Sequence, residues 1–499
     1  MTGLLAIGLL VVASMAIGVW GVRATRSTTP DFLVASQRVA PGWNAMAIAG
    51  EYVSAASVLG LAGLLLKDGI GSLWYAVGFT AGYVVVAALV AGPMRRSGAY
   101  TVPDFADYRL GSQAIRKLCA VIVLVIMWLY LVPQFKGAGM VLHLVSGTPY
   151  WVGVVLAGAV VTVSIAAGGM RSATYVQGFH YLVKLLFIAV PAVFLVVHAG
   201  EDAREAALRV DLSEWSRPLL DVQDAGQPLL ATWSVLLATT LGAAGLPHVV
   251  MRFHTSDSAW TARRVAVGVI VLLGLFYIFP AAYGLLGRVF TPGLGDGGDT
   301  DTVTIVLPGE IVAGRWGAVL TALVATGAFA AFLSTSSGLL MALAGGLSHD
   351  LSRASVPRLR GAVAGGALVA VLLSLPARAV DINVAVGWAF AVAASTFCPL
   401  LVLGIWWRGL TAAGAAAGLA AGVLSATGAA LASVLTDAGP GWLVVLLAQP
   451  AAWTVPLAFA VMIAVSLRGT PPEWAERAVL RLHTPGPSAR WEGDHSTPG

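Results

Sequence analysis

Four consecutive hydroxyl side chains, Ser334, Thr335, Ser336 and Ser337, stand in a run, 327–340, otherwise built from Ala, Leu, Phe and Gly. Back-bonding to the carbonyl one turn earlier accounts for one or two such residues inside an apolar helix, and for four poorly. Ser334 and Thr335 offer neighbouring hard oxygens, the ligand type that a cation such as sodium prefers. A second polar set lies at 47–60, Ala-Ile-Ala-Gly-Glu-Tyr-Val-Ser-Ala-Ala-Ser-Val-Leu-Gly. It places Glu51, Ser54 and Ser57 between Gly50 and Gly60, inside an apolar stretch, 43–66, long enough to cross a bilayer. An ionisable group at membrane depth marks a pathway or a binding site by default. Glycines let the helix open, and the freed carbonyls are tolerable only where they face a cavity, an ion or other protein. The competing reading is a helix packed through its small residues, with the serines bonded to their own backbone.

Other polar residues punctuate the apolar runs. Residues 241–248 read Leu-Gly-Ala-Ala-Gly-Leu-Pro-His, and proline with paired glycines breaks a helix. His180 and Lys184 are four apart, hence on one helix face, and form either an internal polar path or a snorkelling pair. Gln134 faces either a solute or a neighbouring helix. Gly168-Gly169-Met170-Arg171 predicts a tight turn. Glu51 and His248 have no partner nearby in sequence, so theirs must be tertiary.

The elements that position these residues are membrane helices. Of 499 residues 58% are hydrophobic and 11% charged, against about 25% charged in soluble domains. The net charge of +5 comes from basic residues flanking apolar segments, so it bears on topology and not on nucleic acid. The two cysteines, Cys119 and Cys398, both fall in apolar runs and suggest neither a structural disulfide nor a metal motif.

Apolar length predicts about thirteen spans: 3–22, 43–66, 71–92, 117–140, 149–169, 173–199, 228–250, 264–289, 313–347, 358–377, 381–407, 411–435 and 444–467. With residue 1 outside, the loops that become cytoplasmic hold 20 of the 29 Lys and Arg, Arg252 among them. The opposite loops hold eight, Lys136 among them, and Lys184 lies within a span. That bias predicts an N-terminus outside, a cytoplasmic C-terminus, and a first span that is not a cleaved leader. The outer loops 200–227 and 290–312 are long enough for short helices, and the tail from 470 reads as polar and partly disordered. The broken segments, spans two and seven, occupy matching places in successive sets of five, which points to an inverted-repeat transporter. No Walker loop, metal-spaced histidine pair or nucleophile elbow is present, so the reading is a gradient-driven carrier and not an enzyme.

Taken together, AIAGEYVSAASVLG (47–60), GAYTVPDFADYRL (98–110), YLVPQFKGAG (130–139), GGM (168–170), GLPHVVMRF (245–253), LSHDL (347–351) and WAFAVAAS (388–395) resemble the sodium:solute symporter family, in its acetate/monocarboxylate permease (cation/acetate symporter) branch. The resemblance implies an all-α polytopic fold: a LeuT-like 5+5 inverted-repeat core with one extra N-terminal and two extra C-terminal helices. It also implies a coupling sodium held by the carbonyls of Gly50, Val53 and Ala331 and the hydroxyls of Ser334 and Thr335. In that branch Asp is common where this chain has Glu51, and some members lack the hydroxyls at 334 and 335, which favours sodium over protons here.

The chain then divides into 1–42, a first helix and cytoplasmic loop; 43–199, the first repeat; 200–227, an extracellular loop; 228–407, the second repeat; 408–469, two further helices; and 470–499, a cytoplasmic tail. The expected function is sodium-coupled import of a small organic solute, acetate or another short monocarboxylate, across the cell membrane by alternating access. Amides at half-helix N-termini near Ser54–Ser57 and Gly242–Gly245 would meet its carboxylate. Glu51 and Gln134 would stand nearby, with Trp388 and Phe390 walling the pocket. No cofactor beyond sodium, and no nucleic-acid or obligatory protein partner, is expected; the lipid bilayer is the surrounding medium. The alternatives are the same fold carrying proline, choline or a sugar, proton coupling, and a membrane sensor, which the short tail disfavours.

Overall fold

A computed structural model describes residues 2–23, 39–207, 213, 215–220, 225–296, 299–351, 355–435, 440–471 and 473–484, and among these every regular element is helical. The first half contains α1 (Thr2–Arg23), α2 (Pro41–Tyr52), α3 (Leu61–Asp68), α4 (Leu73–Val85), α5 (Gln113–Ser146), α6 (Tyr150–Ala166) and α7 (Gly168–Gly200). The second contains α8 (Pro228–Gly245), α9 (Pro247–Phe253), α10 (Ala259–Phe290), α11 (Gly314–Ala344), α12 (Val356–Ser374), α13 (Ile382–Ser395) and α14 (Phe397–Trp406). α15 (Ala412–Leu435), α16 (Gly441–Ala448) and α17 (Ala451–Ser466) follow.

Ten helices among the described residues are long and apolar enough to cross a membrane, or twelve when each of two bent pairs is taken as one span. The stretch 149–169 holds only the shorter α6. The chain kinks at the start of α7, at Gly169, whose φ of 57° is a conformation that favours glycine. α1 and α12 lie outside, with 28% of their apolar windows buried, and turn Leu5, Leu9, Leu368 and Leu372 outward. α11 and the α13–α14 pair lie inside, at 72% and 83%. Exposed leucines on so apolar a periphery suit a lipid solvent.

Both glycine-marked helices are broken. α2 ends at Tyr52, Val53 turns extended (ψ 96°), and the chain resumes as a π-helical turn, Ala56–Gly60, leading into α3 at a bend of 68°. Gly50 is required just before the break: a Cβ there would lie 2.3 Å from the Gln177 carbonyl oxygen of α7. In the second half α8 stops at Gly245, Leu246 is extended (ψ 118°), and Pro247 opens α9, where its missing N–H needs no partner. Within 290–312 the chain folds into a helix, Val303–Ile311, and Thr304 there donates to the Val58 carbonyl of the π turn (3.1 Å).

Two expectations are corrected. Arg252 is in no loop; it is 1% exposed in α9. Lys136 is likewise buried, within α5, and pairs with Asp301 at 3.3 Å. Both were counted as loop charges, Arg252 because it falls two residues beyond the 228–250 run and Lys136 because it lies near the end of the 117–140 span, and neither position reveals tertiary burial. In the tail, Ala475–His483 forms an amphipathic helix that buries Leu482 and receives an Arg96 hydrogen bond on the Leu482 carbonyl (2.8 Å). Residues 485–499 lie outside the described region.

Candidate functional site

The break in the second span frees the carbonyls of Gly50 and Val53, and α11 brings its hydroxyls to them. Ser334 Oγ lies 2.7 Å from Gly50 O and 3.1 Å from Ala331 O. Thr335 Oγ1 donates to Glu51 O (2.6 Å), with Val53 O at 3.4 Å. The hydroxyls of Ser334 and Thr335 thus reach the carbonyls of Gly50, Glu51 and Val53 where α2 crosses α11, and Ser334 also bonds back to Ala331 O. Ser337 turns back onto Leu333 O (2.7 Å) and away from them. Ser336 Oγ is buried without a partner.

Lys184 of α7 reaches the same point. Its Nζ lies 2.5 Å from Gly50 O, 2.8 Å from Val53 O and 2.8 Å from Ser334 Oγ. The residue is 0% exposed, so it does not snorkel. His180 on the same face binds Ser14 of α1 instead (2.7 Å). Beside the cage, Arg252 Nε donates to Glu51 Oε2 (2.5 Å), its Nη1 to Thr174 (2.8 Å) and its Nη2 to Gln177 Oε1. Gln177 Nε2 closes the network on Ser334 O (2.9 Å) and Glu51 Oε2 (3.4 Å). Arg252 therefore pairs with Glu51, while Lys184, buried beside them, bonds neutral oxygens alone.

The half-helix that restarts after the break is met by Gln134, whose Oε1 accepts from the Ala55 amide (2.9 Å). Ser57 pairs with the Tyr277 hydroxyl (3.0 Å) and Ser54 with that of Tyr130. Aromatic rings close over the break. Tyr52 stands edge-on to Tyr83 (centroids 4.8 Å), Phe390 packs on Phe79 (5.0 Å) and Tyr130 (5.8 Å), and Tyr130 meets His248 edge-on (5.5 Å). Within this cluster the Tyr83 hydroxyl and both ring nitrogens of His248 are buried without a hydrogen-bond partner. Buried polar groups are rarely left so, and each left orphaned suits a ligand.

The sodium:solute symporter family model matches residues 32–422. The chain belongs to that family. The symporter is 30% identical over 414 residues, 80% of each chain, to the uncharacterized symporter YwcA of Bacillus subtilis (strain 168). Its fold is similar to that of a Na+-coupled sialic acid symporter solved substrate-bound and outward-open (TM-score 0.72, 14% identity, 94% of this chain and 98% of that one). It is also similar to Mhp1, a nucleobase-cation-symport-1 family transporter solved closed with bromovinylhydantoin bound (0.58, 14%, 91% and 100%). The fold is therefore the LeuT-like one, and membership of the family implies a transported solute with sodium as the coupling ion.

In this symporter the donor chemistry of the cage suits a hard monovalent cation: carbonyl and hydroxyl oxygens, none of them charged. Three of the five, however, already bond to the Lys184 ammonium. Of the residues expected near the solute, Glu51, Ser54, Ser57, Gln134 and Phe390 gather at the break. Trp388, two residues from Phe390 on α13, instead lines a separate cavity of about 400 Å³ with Trp128, Pro133 and Lys136. Gly242 and Gly245 pack against backbone: a Cβ would meet Phe390 O at 2.6 Å and Ala393 O at 2.2 Å. Sequence reasoning missed Arg252, Gln177, Tyr83 and the contact of Lys184 with the cage. Lys184 and Gln177 stand out only as polar residues inside an apolar run.

Proposed function

We propose that this protein is a secondary active symporter importing a short monocarboxylate such as acetate, with sodium, by alternating access. The observation that carries the solute class is the arrangement at the break: Arg252 pairs with the single carboxylate of Glu51, and Lys184 is buried beside them on neutral oxygens, with no carboxylate of its own among the described residues. A buried charge without its counter-ion is costly, so the network favours an anionic solute, which supplies the missing negative charge on binding. A neutral sugar or a cation such as choline supplies none. The size of the solute follows from the crowding of Tyr52, Phe79, Tyr130 and Phe390 around the break, and its polar end is served by the free Tyr83 hydroxyl and His248 ring.

Binding the solute completes a site built from both broken helices, so it stabilises the arrangement in which they face each other. The family's coupling ion would be held by Gly50, Val53, Ala331, Ser334 and Thr335, and its charge would make solute binding more favourable. Coupling needs each ligand to bind better with the other present. The N-terminus outside and the tail inside follow from the charge bias. Competition against radiolabelled acetate uptake in cells tests the solute class. Propionate and pyruvate are expected to compete, and proline, choline and glucose are not. Competition by one of the latter set alone overturns it.

A further inference from the structure

We propose that the ammonium of Lys184 is a resident cation of the oxygen cage and an intramolecular competitor of the coupling ion for it. This rests on the reading of the cage as the ion site. Lys184 rises from the middle of α7 and is 0% exposed. No carboxylate of the described residues lies within ion-pair distance of its Nζ. Its three partners are all neutral oxygens, Gly50 O, Val53 O and Ser334 Oγ, at 2.5–2.8 Å. An ammonium has three N–H donors, and each has an oxygen here. A lysine serving only as counter-ion to Glu51 would reach the carboxylate. This one reaches the carbonyls that the break sets free.

The geometry has two consequences. The broken helix is held open without a metal, because carbonyls that would otherwise be orphaned in an apolar interior have donors. And the same oxygens cannot serve two monovalent cations at once, since both would sit within bonding distance of Gly50 O and Val53 O and repel each other. The ammonium is tethered, so its local concentration at the cage is high and independent of the bathing salt. Sodium therefore gains the cage only against Lys184, which lowers the apparent sodium affinity.

The test is equilibrium binding of ²²Na⁺ to the purified full-length protein in nanodiscs at fixed pH, with no solute present. Lys184→Met keeps the bulk of the side chain without its charge; Lys184→Gln keeps a donor for the freed carbonyls and guards against a folding defect. At least a tenfold tighter ²²Na⁺ affinity than wild type is expected in both, and Lys184→Met/Ser334→Ala should lose that gain, placing the added ion at the cage. Unchanged or weaker binding in the folded variants overturns the proposal, as does a gain that survives Ser334→Ala. The outcome is independent of the solute: a failure of carboxylate uptake would count against the proposed function and leave this assay intact.

Discussion

Arg252 Nε lies 2.5 Å from Glu51 Oε2, so the second broken span is tied to the first by a fully buried ion pair. Glu51 is the residue before the last of α2, and Arg252 the residue before the last of α9. Removing one partner of a buried pair leaves an uncompensated charge and costs about 3–5 kcal/mol, whereas removing both costs less. Glu51→Gln and Arg252→Gln are each expected to lower thermal stability strongly. The double variant should be more stable than the sum of the two losses allows, as a double-mutant cycle measures. Additive losses would show that the pair does not couple the two breaks.

Gly338 exists to admit Glu51. It lies one turn beyond Ser334 on α11, and an added Cβ would fall 1.8 Å from Glu51 Oε1. In an exposed helix interior Gly→Ala stabilises by about 1 kcal/mol. Here the methyl must push the carboxylate off Arg252. Gly338→Ala is expected to abolish uptake and lower the melting temperature. Gly365→Ala on the exposed face of α12, where a Cβ meets nothing within 4 Å, should be neutral or stabilising. Equal behaviour of the two variants in uptake and thermal-unfolding assays would refute this role for Gly338.

Ser334 and Thr335 supply two of the five cage oxygens, and replacing both by Ala removes few atoms. The double variant should insert normally while its apparent sodium affinity in uptake falls at least tenfold, about 1.4 kcal/mol. Ser337→Ala, whose hydroxyl bonds back to Leu333, should change it little. Sodium dependence that is identical in wild type and double variant would place the ion elsewhere.

Much of the fold was legible because membrane spans are set by length and apolarity, which are local. The breaks were legible for the same reason: Gly50, Gly245 and Pro247 announce them within a few residues. The polar residues at 47–60 and 331–338 stood out too, since each set is contiguous in sequence; that they hold sodium was implied only by the family resemblance. What sequence did not show was rotation and pairing. Trp388 and Phe390 sit two apart on one helix, and the turn of α13 sends them to different surroundings. Arg252 reads as a loop cation and becomes the counter-charge of a residue about 200 positions away. Lys184 shows as unusual, but only the crossing of α7 over the break puts its ammonium on Gly50 and Val53.

In the proposed cycle, solute and ion gradients are coupled through this site. Uptake of radiolabelled acetate into proteoliposomes of the purified protein, with an inward sodium gradient or with potassium replacing sodium on both sides, tests it most directly. Transient accumulation above equilibrium that requires the sodium gradient and is abolished in Glu51→Gln is expected. Acetate that never exceeds equilibrium, or that accumulates equally without sodium, would contradict it.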